Sequence, residues 1–175
     1  MKPWFAIVAN ALGLAVAPAS GGGSEPPANV YTDLRTQALS QTPATLGSSD
    51  STVGVLMETG YPGAVVTLVA FVDGSASLYF SNGGGIIGAG QHERVAAAAQ
   101  ALVTIAARYL SSLTATAKYP LPGLGRTRFH VLTASGVLTA EAAQDDLGNN
   151  RLPLSPLFHA GHALIAEIRA IEERR

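Results

Sequence analysis

The chain has no cysteine, which removes disulfides, thiolate nucleophiles, iron–sulfur clusters and cysteine-ligated zinc from consideration. Charge is scarce as well: 13% of residues are Asp, Glu, Lys or Arg, and 12 acids against 11 bases leave a formal net charge of −1. The two signs are scattered, so there is no basic face for nucleic acid and no polybasic patch for anionic lipid. Aromatic residues make up 6% of the chain, with one tryptophan. No apolar run is long enough to cross a hydrocarbon core of about 30 Å as a helix. Apolar residues nevertheless amount to 47%, which excludes a disordered chain. A length of 175 residues reads as one domain, able to bury roughly two-thirds of its unfolded surface.

The N-terminus reads as an export signal occupying residues 1–19. Met1-Lys2 supplies a short positive start, and Trp4 to Ala17 is apolar apart from Asn10. Ala17-Pro18-Ala19 then fits the small-x-small pattern of a signal-peptidase site, with cleavage expected after Ala19. Residues 20–28 form a flexible polar spacer, and 29–175 the single domain. The expected location is periplasmic or secreted, with no stable membrane anchor after cleavage. The competing reading is an apolar N-terminal helix or strand packed on a cytoplasmic domain.

Asn29 predicts the N-cap of a helix from Val30 to about Gln41, with Val30, Tyr31, Leu34 and Ala38 on one side. Val53 to Glu58 alternates as a strand, and Tyr61-Pro62-Gly63 is a type II turn signal. Ala64 to Val72 is apolar except for Thr67, as a strand covered on both faces would be. Asp73-Gly74 then turns into a strand from Ala76 to Phe80. A wide amphipathic helix is predicted from about Gln91 to Leu113, followed by a connector to Gly125. Arg126 to Thr133 and Val137 to Gln144 form a second hairpin around Ser135-Gly136. Asp145 to Pro153 reads as a polar loop. Ser155-Pro156 opens a last helix, whose core face is Leu157, Gly161, Leu164, Ile165, Ile168 and Ile171.

The order α-β-β-β-α-β-β-α predicts an α+β domain, an antiparallel sheet of about five strands with helices packed on it. This layout loosely resembles the small sheet-and-helix domains of the profilin, roadblock and longin kind. In roadblock and longin domains two strands precede the central helix and three follow; here those numbers are reversed.

Five glycines lie in the eight residues from Gly83 to Gly90. Gly83-Gly84-Gly85-Ile86-Ile87-Gly88 satisfies G-x-G-x-x-G after a strand and before a helix, where glycine N–H groups can hold a phosphate. Candidate ligand contacts there are Gly83, Gly84, Gly85, Gly88, Gly90, His92 and Arg94. Against a dinucleotide site, the preceding strand belongs to a hairpin and no acidic residue closes a second parallel strand. The competing role is close packing, with Ile86 and Ile87 tucked into the core. His159 and His162, spaced i, i+3, could reach one metal, but no third ligand is dictated. With a Ser135-Gly136 turn, His130 falls opposite Glu141, the carboxylate–imidazole pairing of a general base or of a plain cross-strand ion pair. Arg126, Arg128 and His130 share a strand face, either an anion site or the wet face of an edge hairpin. No catalytic set, metal site or cofactor is compelled. The expectation is an exported, non-catalytic module that binds an unidentified protein or small ligand. The alternative is a phosphate- or nucleotide-binding, or hydrolytic, domain using the Gly83–Gly90 loop.

Overall fold

The computed structural model describes residues 27–173. They form α1 (Pro27–Leu39), β1 (Thr52–Tyr61), β2 (Ala64–Phe71), β3 (Ala76–Phe80), β4 (Gly85–Ile86), α2 (Glu93–Ala106), β5 (Thr114–Thr116), β6 (Arg126–Thr133), β7 (Gly136–Ala143), α3 (Gln144–Gly148) and α4 (Ser155–Glu172). The expected signal segment and residues 20–26 of the expected spacer lie outside the described residues. Pro27 and Ala28, placed in that spacer by the sequence, already belong to α1.

The fold is α+β, built on one antiparallel sheet in the order β4-β3-β2-β1-β6-β7-β5. Seven strands replace the five expected, because β4 and β5 have only two and three residues. Pieces that short carry no periodicity to read. β5 emerges from the connector after α2 and pairs with β7 at the far edge. No helix among the described residues is long and apolar enough to cross a membrane.

Alternation sorts the side chains of the central strands onto two faces. Val55 and Met57 of β1, Leu68 and Ala70 of β2, Leu78 of β3, and Phe129 and Val131 of β6 meet α2 and α4 in the main core. Leu56, Val69, Tyr79 and Leu132 point the other way and meet α1. A β-bulge between Thr52 and Gly54 shifts the register, so Val53 joins the α1 side. The middle of β2, Val66–Ala70, is buried on both faces, as its apolar run implies.

Small residues set the close contacts. A side chain at Gly161 would stand 2.6 Å from the Met57 sulfur, so α4 crosses the sheet there at nearly backbone distance. All six residues expected on the core face of α4 are buried. α2 is shorter than its apolar arc suggested, ending at Ala106. The chain tightens there through Arg108 N–H to Ile105 O and Tyr109 N–H to Ala106 O, then a 3-10 turn at Leu110–Ser112. Leu113 still reaches the core, which is why periodicity alone ran the helix on to it. The expected polar loop after β7 contains α3, whose Leu147 is fully buried.

Candidate functional site

Hairpin register places polar residues in one row across five strands on the α1 face. Tyr79 pairs with Thr67, Thr67 with Glu58, Glu58 with Arg128, and Arg128 with Glu141. Above this row α1 contributes Tyr31 and Arg35, one helical turn apart. The Arg35 guanidinium grips Glu58 with two parallel bonds, Nε to Oε1 and Nη2 to Oε2, both 2.7 Å. Thr67 donates to Glu58 Oε1 at 3.1 Å and shares a 2.8 Å hydroxyl contact with Tyr31. His130 sits one residue pair along β6, with Nε2 3.5 Å from Glu58 Oε2, and the Tyr119 ring closes over it edge-on at 5.5 Å.

Glu58 and His130 have no solvent exposure. Burial by itself would raise the Glu58 carboxyl; the Arg35 bonds and charge, aided by His130, outweigh it and hold that carboxyl below its ordinary range. Burial would likewise depress Arg35, but Glu58 holds it above its usual value. Tyr79 and Tyr31 are both raised, first by burial, so both phenols stay protonated. Among the described residues, the Tyr79 hydroxyl and both His130 ring nitrogens make no hydrogen bond. The carboxylate and imidazole of a general base are thus present, but neither reaches solvent. What the cluster does chemically is tie α1 to the sheet: a bidentate Arg–carboxylate pair in low dielectric is directional and strong only while intact.

Beside this cluster, α1 leaves part of β2 and β3 uncovered. Two adjoining depressions of about 150 and 230 Å³ run along α1 and share Leu34 and Tyr79 in their walls. Val69 and Phe71 floor one; Phe80, Gly83 and Gly84 border the other. Their rims carry two of the largest exposed apolar side chains, Val30 at 59% and Ile87 at 63%. The lining is almost wholly uncharged.

The glycine run builds the β3–β4 hairpin. Gly83, Gly84, Gly85 and Gly88 all take positive φ, and Gly83 N–H bonds Phe80 O while Gly88 N–H meets the Ser77 hydroxyl at 3.3 Å. A side chain at Gly85 would stand 2.5 Å from Leu78 O, and one at Gly90 2.3 Å from Gly74 O, so both glycines serve close backbone approach. Ile86 packs on the core as expected, whereas Ile87 points outward. α2 begins five residues after Gly88, with exposed His92 as its cap and Glu93 in its first turn. Arg94 turns away to pair with Glu167 at 2.9 Å. These seven residues therefore do not converge on one anion-binding cradle.

His130 does not face Glu141. The loop between β6 and β7 is Ala134-Ser135, not Ser135-Gly136, so His130 pairs with Thr139 and Leu132 with Val137. Glu141 instead accepts from Arg126 at 2.9 Å and Arg128 at 2.5 Å. Nor is this hairpin an edge, since β6 lies between β1 and β7. His159 contacts Asn150 Oδ1 at 3.0 Å, and His162 lies against the Phe158 ring at 4.4 Å. Burial, then the neighbouring His159, pushes His162 down to about 4. Among the described residues no group of three His, Cys, Asp or Glu is placed to hold a metal.

Sequence reading missed Arg35, Glu58, Tyr31, Tyr79 and Tyr119 as a group. One signal for part of it was present. Thr67 and Glu58 interrupt two apolar strands at equal distances from the Pro62-Gly63 turn, which makes them direct partners. No known protein family, curated protein or solved structure matches this chain.

Proposed function

We propose that this chain is an exported, non-catalytic binding module that takes an apolar segment of a partner into the groove beside α1. The observation that supports it is the contrast within one sheet face. Glu58 lies under α1 and is paired with Arg35 of that helix, while the open concavity next to them is uncharged and mostly apolar. Pockets of that kind, with aromatic walls and few polar groups, favour apolar ligands. Export is part of the proposal and rests on the pattern of residues 1–19. The small-domain layout of the profilin and roadblock kind is a loose resemblance in the order of elements read from the sequence, and it supplies no function.

The test is an amide-shift titration of the chain from Ser20 to Arg175 with a synthetic, uncharged amphipathic helical peptide. Shifts confined to Val30–Gln41, Val69–Phe71, Ser77–Phe80 and Gly83–Ile87 are expected. Absence of shifts at millimolar peptide would contradict the reading. A parallel titration with inorganic phosphate addresses the competing anion site: shifts at Gly84–Gly90 with phosphate, and none with the peptide, would replace one reading by the other.

A further inference from the structure

One side chain in the groove wall has polar capacity that the fold leaves unused, and it deepens the binding reading above, on which the inference rests. We propose that the groove beside α1 selects an apolar segment carrying one uncharged hydrogen-bond acceptor on its buried face, and that the Tyr79 hydroxyl donates to that acceptor.

The first support is the hydroxyl itself. Tyr79 is 4% exposed, and its oxygen is buried without a hydrogen bond among the described residues. A buried phenol usually finds a partner, and one left without a partner carries a desolvation cost that a ligand can recover. Its neighbours in the polar row are already engaged, Thr67 with Glu58 and Tyr31, and Glu58 with Arg35. The second support is position. Tyr79 and Leu34 stand in the walls of both depressions, so an occupant of either lies against the phenol. The Tyr31 ring meets the Tyr79 ring edge-on at 5.7 Å, so no polar tie opposes a turn of the phenol towards the occupant. The third is charge. Burial keeps the phenol protonated, so it donates. No cation lines either depression, and Arg35 already has two bonds to Glu58. An incoming carboxylate would be desolvated near Glu58 with nothing to compensate it, whereas a hydroxyl or amide oxygen accepts the bond without that cost.

The test is a titration of the full chain with an uncharged amphipathic helical peptide whose apolar face is built of valine, and with versions in which threonine replaces each of those valines in turn. Both side chains are β-branched and similar in shape, and threonine adds the acceptor. At least one threonine version should bind roughly 2- to 10-fold more tightly than the valine parent, the worth of one hydrogen bond. Tyr79→Phe, which removes an unbonded hydroxyl and keeps the ring, should bring that version back to the parent peptide's affinity. A preference that survives Tyr79→Phe would overturn the proposal. Equal affinities across the set would overturn it too, while leaving the binding reading above in place. Tighter binding of aspartate than of threonine at the preferred position would assign an anion site instead. Binding by none of the peptides would end both readings.

Discussion

The two faces of the sheet are held by different physics. On one, α2 and α4 press alanines, leucines, isoleucines and a bare glycine against Met57, Leu68 and Phe129, and attachment comes from apolar area and close fit. On the other, α1 presents few apolar anchors, chiefly Tyr31, Ala38 and Leu39, and depends on the Arg35–Glu58 pair for its place. The difference teaches that a dry face tolerates small volume changes gradually, whereas a face fixed by one buried ion pair is all-or-none. Removing either charge strands the other in low dielectric, while replacing both with apolar groups can cost little. α1 is also the helix that borders the open groove, so the least redundant attachment sits next to the proposed binding surface.

The largest effect should come from the dry face. Phe129→Ala removes a fully buried ring and should cost about 3–5 kcal/mol in denaturant unfolding. A loss under about 1 kcal/mol would show that the main core collapses around the cavity. On the other face, Arg35→Met should cost a comparable amount, about 3–5 kcal/mol, by leaving Glu58 buried and unpaired. Its distinctive mark is local: α1 amides should lose hydrogen-exchange protection well before those of α4. Gly88→Val tests the left-handed turn that follows the edge strand β4. The space there is open but φ is +72°, so strain alone should cost about 1–3 kcal/mol. An unchanged melting temperature would contradict it.

Acid should separate the faces by pH instead of by energy. His162 on α4 is held down at about 4, against an ordinary value of 6.5, so the unfolded chain binds the extra proton between those limits. Stability should therefore fall as pH drops from about 6.5 to about 4, and His162→Gln should flatten that slope. Glu58 acts lower. Its contribution is complete above the ordinary carboxylate range and is lost as pH falls through its depressed value. Unfolding free energies measured at intervals down to strong acid check both windows.

Much of the architecture was legible because it is periodic. The core face of α4, the doubly covered β2 and the antiparallel class all follow from spacing in the sequence. The losses have physical causes. β4 and β5 are too short to carry a period, and α3 hides one buried leucine in a polar stretch. A one-residue shift of the β6–β7 turn moved Glu141 from His130 to Arg128, since the choice between Ala134-Ser135 and Ser135-Gly136 depends on backbone twist more than composition. The β2–β3 loop shows the same limit. Its connection is Val72-Asp73-Gly74, with Gly74 at positive φ and Phe71 N–H bonded to Ser75 O, one residue longer than Asp73-Gly74. The Arg35–Glu58 contact was beyond local reading, because it joins a helix to a strand 23 positions away.

A double-mutant cycle on Arg35→Met and Glu58→Leu, read by denaturant unfolding, is the most direct measurement. Each single substitution should destabilise strongly and the double variant should recover most of the loss, giving a coupling of about 3 kcal/mol or more. Single losses below about 1 kcal/mol that simply add would show that α1 is held by its apolar contacts and not by the buried pair.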